Sequence, residues 1–251
     1  MPTKKLVAFY DDPTYDYKKY WQERQYECKA EEIALKALFT LVSNRNKLVD
    51  IGAGFGRLVP LYAPLFQECL LIDPSQRQLE EAKKLTKKYA NLTFKKAFAE
   101  KLPLEDKSVD VTLFIRTFHH LEKPEPAIKE IARVLKPGGF LVLEFANKIH
   151  LKSCLRAIFQ LNPDCFNLKP EDISREEGDV PFLNYHPRFV EKLLLANKLK
   201  PIKTLSVSNF RHPLVKKLLP LKTLLFLEAK VQALASKVHL GPSIFLLAQK
   251  A

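Results

Sequence analysis

Three of the seven glycines in this 251-residue chain, Gly52, Gly54 and Gly56, fall within five positions directly behind the apolar run 47–51. A chain this poor in glycine places it where a side chain would obstruct. The spacing predicts a strand, a tight turn and a helix beginning near Arg57, so that loop amides face a ligand above the strand end. Gly52, Ala53 and Gly54 would bring backbone to that ligand. The pattern is Gly-x-Gly-x-Gly, not the dinucleotide Gly-x-Gly-x-x-Gly, because residue 57 is arginine. Asp50 stands two residues before the first glycine, where a carboxylate suits a cationic ligand better than a pyrophosphate. A second apolar run, 68–72, ends in Asp73-Pro74-Ser75, about 20 residues beyond the glycines, where an acid can accept both hydroxyls of a ribose. These groups together read as a site for a positively charged nucleoside.

The elements that must position them follow in order. Residues 91–98 read as a third strand and 109–115 as a fourth, followed by the loop 116–121, a helix through Leu135, a turn at 136–139 and a fifth strand over 140–145. The motifs LVDIGAGFGR, IDPS, AEKLP, VDVTLFIRTFHHL and RVLKPGGFLVLE, within residues 46–146, resemble in order and spacing a class I S-adenosylmethionine-dependent methyltransferase of the type 11 group, which includes quinone-biosynthesis enzymes. The resemblance implies a Rossmann-like, doubly wound seven-stranded α/β sheet with an antiparallel last strand and helical insertions covering the substrate. It implies S-adenosylmethionine as cofactor and S-adenosylhomocysteine as product. Asp50 would steer the cofactor ammonium, Asp73 with Pro74 would take the ribose, and Ala99, Glu100 and Arg116 would lie along the cofactor. Where the family often carries an acid for the adenine amino group, this chain has Phe98, which leaves adenine to stacking and to the Ala99 and Glu100 backbone. His119 and His120 occupy the family's substrate side behind the fourth strand, where either is a candidate base of near-neutral pKa.

Length and 47% hydrophobic content fit a single well-buried α/β core, organised as an N-terminal flap and helix (1–45) and a methyltransferase domain (46–251) with insertions at 147–186 and 209–239. Residues 1–13 lack an apolar signal core and no stretch approaches the roughly 18 apolar residues of a membrane span, so a cytoplasmic protein is expected. Cys28, Cys69, Cys154 and Cys165 show no paired spacing, and no metal is expected.

The first 26 residues hold Tyr10, Tyr15, Tyr17, Tyr20, Tyr26 and the only tryptophan, Trp21, ahead of an amphipathic helix over 30–42. In the resembling enzymes such a flap closes over cofactor and substrate, which makes Trp21, Arg24 and Tyr26 candidates for the methionine end. An aromatic staple between helix and sheet is the alternative. The long connection 147–186 carries a helix over 150–161 and an acidic run over 171–179, and is the expected substrate cover. Tyr185 and His186 are candidate substrate contacts, just before a helix over 188–199 and strands over 201–208 and 243–249.

Of the net charge of +13, much lies in residues 200–251, with nine Lys or Arg against one acid, Glu228. Within 209–239, apolar and basic residues alternate at helical spacing and Pro220 predicts a break into two helices. This segment either packs on the core or offers weak membrane-surface contact. Leu, Val and Phe between the lysines argue against nucleic acid. The expected acceptor is a small or lipid-like molecule; an RNA methyltransferase and a non-catalytic cofactor-binding protein are the alternatives.

Overall fold

The computed structural model describes residues 10–12, 17–161, 166–174 and 180–251. Residues 1–9, Tyr15, Cys165 and the acids Glu176, Glu177 and Asp179 lie outside the described residues.

Three largely buried runs, β1 (Lys47–Ile51), β2 (Glu68–Asp73) and β4 (Val109–Phe114), form the parallel part of the sheet with the half-exposed edge strand β3 (Leu92–Lys96), extended by β5 (Leu135–Ala146). Residues 171–172 (β6) and 183–184 (β7) pair in a small ladder of their own, while β8 (Leu199–Val207) and β9 (Ser243–Lys250) complete the main sheet. Its order is β3-β2-β1-β4-β5-β9-β8, with β9 antiparallel to both β5 and β8. The doubly wound seven-stranded sheet expected from the motif order is therefore present. The reversal of strand order between β1 and β4 opens a crevice above their carboxyl ends, where ligands of such sheets bind.

The helices are α1 (Tyr17–Gln22), α2 (Gln25–Phe39), α3 (Val59–Tyr62), α4 (Gln76–Leu85), α5 (Glu125–Val134), α6 (Leu151–Phe159), α7 (Pro187–Ala196), α8 (Pro213–Leu218) and α9 (Leu221–Ala235). Strand alternation sends Val49 and Ile51 to one face, into a core shared with Ile128 and Ile131 of α5 and Val190 of α7. Leu48 and Leu71 go to the other, against Leu35, Leu38 and Phe39 of α2. Asp50, two residues from Leu48, shares this second face.

Three boundaries differ from expectation. The helix expected near Arg57 starts at Val59 and lasts one turn, passing into a 3-10 turn at Ala63–Leu65. Pro60 fits the first turn, but Pro64 lacks the amide needed to continue it. The amphipathic helix expected over 30–42 begins earlier, at Gln25, and ends at Phe39. The turn at 136–139 is drawn into β5 as an irregularity: Val109 pairs with Leu135 and Val111 with Phe140. Pro220 does separate α8 from α9, as its missing amide predicts.

Candidate active site

The glycine loop is cut from backbone conformations that side chains oppose. Gly52 and Gly54 have φ of +74° and +53°, and a Cβ on Gly52 would collide with the Thr117 side chain. The amides of Gly52 and Ala53 donate to Ile72 O at 2.8 and 3.1 Å, pinning the loop to β2. Gly54 N donates to Asp73 Oδ2 at 2.8 Å, and Ser75 N to Asp73 Oδ1 at 2.8 Å. Asp73 therefore stands beside the loop with two amides on its carboxylate. Burial raises its pKa to about 6 against the pull of those two amides.

Asp50 is buried below the loop and accepts from the Tyr62 hydroxyl at 3.0 Å. Burial, opposed by that hydrogen bond and reinforced by Asp73, lifts its pKa to about 7. A buried carboxylate without a full counter-charge is suited to a cationic ligand. Pro74 is half-buried beyond Asp73. Ala99 and Glu100 form the tip of a tight turn closed by Lys101 N donating to Phe98 O at 3.1 Å, and Ala97 N donating to Asp73 O at 3.3 Å holds that turn beside β2. Phe98 is exposed at its base.

A charged cluster lies on the other side of the loop. Glu31 of α2, fully buried, takes Arg57 Nη2 at 2.7 Å and Arg116 Nε at 2.7 Å. Arg116, with φ +59°, donates its amide to Glu144 Oε2 at 3.0 Å. Burial opposes charge on Arg116, but Glu31 and Glu144 outweigh it and hold its pKa above the ordinary value. Two acids thus balance two guanidiniums. Trp21 closes this cluster, with the Arg57 guanidinium 3.7 Å and that of Arg116 5.4 Å from the ring centre.

The flap reaches the glycine loop through one of its tyrosines. Tyr17 packs edge-on against Phe55 at 5.5 Å and Tyr10 at 5.3 Å, and its ring lies in van der Waals reach of a Cβ built on Gly54. Tyr10 and Asp11 span the crevice: Tyr10 OH pairs with His120 Nε2 at 3.2 Å, Tyr10 O accepts from Gln78 Nε2 at 3.3 Å, and Asp11 Oδ1 accepts from Ser75 Oγ at 2.5 Å. Arg24 instead turns back onto Tyr20, its guanidinium 3.7 Å above that ring. Tyr26 points away from the loop, donating to Glu228 of α9 at 2.7 Å and accepting from Phe210 N at 2.9 Å. The expectation that Tyr26 reaches the methionine end is corrected: it is the staple between α2 and α9.

Behind β4, His119 is buried and stacked on Phe182 at 4.3 Å, and His120 Nδ1 faces Pro181 O at 2.8 Å. Burial pushes His119 well below the usual histidine range. It takes His120 to about 4, with the Pro181 carbonyl opposing. Burial thus favours the neutral form of both rings, where a base of near-neutral pKa was expected. Tyr185 is fully buried, hydrogen-bonded to Leu121 O and stacked 5.6 Å from Phe189. His186 caps α7, its Nδ1 accepting from Arg188 N at 3.1 Å. Among the described residues no group of three or more His, Cys, Asp or Glu side chains is arranged to hold a metal, and no helix is long and apolar enough to cross a membrane.

Glu31, Arg57 and Thr117 are site residues that the sequence did not single out, and Tyr17 stood there only as one of the flap's rings. The only local signal was Arg57, visible there as the residue that breaks the dinucleotide spacing.

Residues 49–143 match a family described as a methyltransferase domain. YcgJ of Bacillus subtilis, an uncharacterized methyltransferase, is 29% identical over 125 residues, 49% of this chain and 49% of that protein. The ubiquinone/menaquinone biosynthesis C-methyltransferase UbiE of Rubrivivax gelatinosus is 34% identical over 100 residues, 39% of each chain. The chain spans about half the length of the first of these relatives and less of the second. Among solved structures, a SAM-dependent methyltransferase from Thermotoga maritima aligns over 94% of this chain and 95% of its own, with a TM-score of 0.61 at 18% identity. The structure of YcgJ aligns over 88% and 98%, with a TM-score of 0.57 at 21% identity. At such identities the likeness is one of fold.

Proposed function

We propose, on the premise that the chain carries a class I S-adenosylmethionine-dependent methyltransferase domain of the type 11 group, that it methylates a small or lipid-like acceptor held above the carboxyl ends of β4 and β5. The observation that carries this reading is the pair of buried carboxylates, Asp50 and Asp73, on either side of a glycine loop at positive φ. They match the ammonium and ribose of S-adenosylmethionine, and the loop leaves room for its backbone approach. When bound, the cofactor supplies an electrophilic methyl on a sulfonium, whose charge is lost as the methyl departs.

The chain's own work is alignment, which can supply about 7–11 kcal/mol at best. Asp73 fixes the ribose end, Asp50 the ammonium end, and Tyr17 with Trp21 closes the flap side and excludes water. Trp21 and Arg116 close the site through the charged cluster with Arg57, while Arg24 stays folded onto Tyr20 within the flap. Ala99 and Glu100 face the adenine with backbone. His119, being neutral and with its buried Nδ1 not engaged by another described residue, serves to orient an acceptor hydroxyl or amine and accepts its proton only as the acceptor acidifies in attack, while His120, whose two ring nitrogens face Tyr10 OH and Pro181 O, holds the flap over the crevice. Tyr185 and His186 support the substrate wall from behind. The exposed apolar side chains Leu155, Ile158 and Phe159 on α6, which leaves the carboxyl end of β5, favour an apolar acceptor.

Transfer of radiolabelled methyl from S-adenosylmethionine into separate fractions of soluble metabolites, lipid extract and RNA tests this. Label in metabolites or lipid supports it. Label in RNA alone moves the acceptor to nucleic acid, and binding without label in any fraction reduces the chain to a cofactor-binding protein.

A further inference from the structure

The outer surface of α8 and α9 is apolar and basic at once. Val215 and Leu219 pack inward on the second core, which leaves Leu214 and Leu218, four residues apart, on the outer side of α8. On α9, Leu224, Glu228, Gln232 and Ala235 are buried, and Lys222, Phe226, Lys230 and Leu234 follow each other at i, i+4 on the opposite face. Leu214, Leu218, Phe226 and Leu234 are between 63% and 79% exposed. Cations interleave with them: Lys217, Lys222, Lys230 and Lys237 are all exposed.

No acid offsets these cations from within the segment. Its single carboxylate, Glu228, is fully buried and accepts from Tyr26 OH, from the amides of Ser208 and Asn209, and from the side chains of Asn209 and Gln232, at 2.7–3.2 Å. Among the described residues, the one outside acid paired with a cation of the segment is Glu27, which meets Lys216 at 2.9 Å. Among the described residues, Lys217, Lys222 and Lys237 make no ion pair.

Position adds to composition. β8 runs parallel to β5, because both pair antiparallel with β9, so α8 follows the same carboxyl end of the strands as the glycine loop does. Arg211, at the start of this segment, lies within electrostatic reach of Arg116 and Tyr20. The segment that carries the patch thus begins near the charged cluster beside the glycine loop.

We propose that this α8–α9 surface docks the protein on an anionic lipid bilayer, with Leu214, Leu218 and Phe226 entering the interface and Lys217, Lys222 and Lys230 meeting headgroup phosphates. A nucleic acid would satisfy the lysines but leave the exposed aliphatic side chains in water, with a single ring available for stacking. A bilayer interface satisfies both, and one short amphipathic surface binds it reversibly. Docking does not depend on which acceptor is methylated and is read without turnover.

The test is flotation of the purified chain with vesicles of phosphatidylcholine alone and of equal parts phosphatidylcholine and phosphatidylglycerol, at low and high salt. Wild type is expected to float with the mixed vesicles at low salt only, since exposed charges are screened within about 10 Å at 0.1 M salt. Lys217→Glu/Lys222→Glu is expected to reduce partitioning at least about 30-fold, roughly fivefold for each cation withdrawn before the repulsion of the new carboxylates. Leu214→Ser/Leu218→Ser should also reduce it. All four side chains are exposed, so wild-type melting temperatures verify the fold. Lys87→Glu/Lys88→Glu, exposed beyond α4 at the opposite, β3 edge of the sheet, should float like wild type. Absence of wild-type flotation overturns the proposal, as does equal loss in both charge variants. Capture of RNA that needs Lys217 and Lys222 but is indifferent to Leu214 and Leu218 would assign the patch to nucleic acid instead.

Discussion

Asp50 is held at a cost that a ligand can relieve. Burial lifts its pKa to about 7 in the folded chain, against roughly 3.9 unfolded. A group whose folded pKa is raised gives stability that is complete below about pH 4 and is lost as the pH climbs through about 7. Asp50→Asn keeps an oxygen for Tyr62 and removes the charge. We expect it to raise stability at about pH 8 by roughly 1–3 kcal/mol with little change near pH 4, while weakening S-adenosylmethionine binding by about tenfold or more. Calorimetric unfolding across pH and titration with ligand measure both; a variant no more stable than wild type at the higher pH would contradict the assignment. Asp73→Ala should abolish measurable binding, because its carboxylate also fixes the amides of Gly54 and Ser75, and unchanged heat on titration would remove Asp73 from the site. For the histidines, a pKa of about 4 leaves His120 neutral above pH 5. Neither ring should therefore contribute an acid limb near 6.5 to turnover at saturating cofactor, and an inflection there that disappears in His119→Ala or His120→Ala would restore a titrating base. The loop and its acids were legible in the sequence because their spacing is local. Glu31 was not, since its partners Arg57 and Arg116 lie 26 and 85 positions away.

At the scale of elements, strands were the most legible feature: β1 and β4 are short apolar runs between breakers, buried on both faces, and their edges fall within a residue of expectation. Helix starts were less so, because packing overrides periodicity. Gln25 and Tyr26 join α2 because Tyr26 is drawn onto α9 by Glu228. Tyr26→Phe deletes the hydroxyl that serves both Glu228 and the Phe210 amide and leaves that amide without its acceptor, so about 1–3 kcal/mol of stability should be lost. Cofactor affinity should be unchanged, as the ring points away from the glycine loop. Urea unfolding beside ligand titration separates the two, and a loss of affinity as large as the loss of stability would place Tyr26 back at the site.

For the molecule as a whole, cofactor and fold should stabilise each other, since Asp50, Asp73 and the flap come from distant parts of the chain. S-adenosylhomocysteine at about one hundred times its dissociation constant should add about 2.7 kcal/mol, read as a rise in melting temperature that Asp73→Ala does not share. The position of β9 has another consequence. It lies inside the sheet, flanked by β5 and β8, and pairs Phe140 with Gln249 across more than a hundred residues. While the chain is being made, β5 presents the apolar backbone of 140–145 as an open edge, and β8 has no partner in the main sheet until 243–250 emerge from the ribosome. Such an edge is a template for pairing with other chains. A nascent chain stalled before Ser243 is expected to be cut rapidly by protease within 140–207 and to bind chaperones, and to lose both properties once β9 is released.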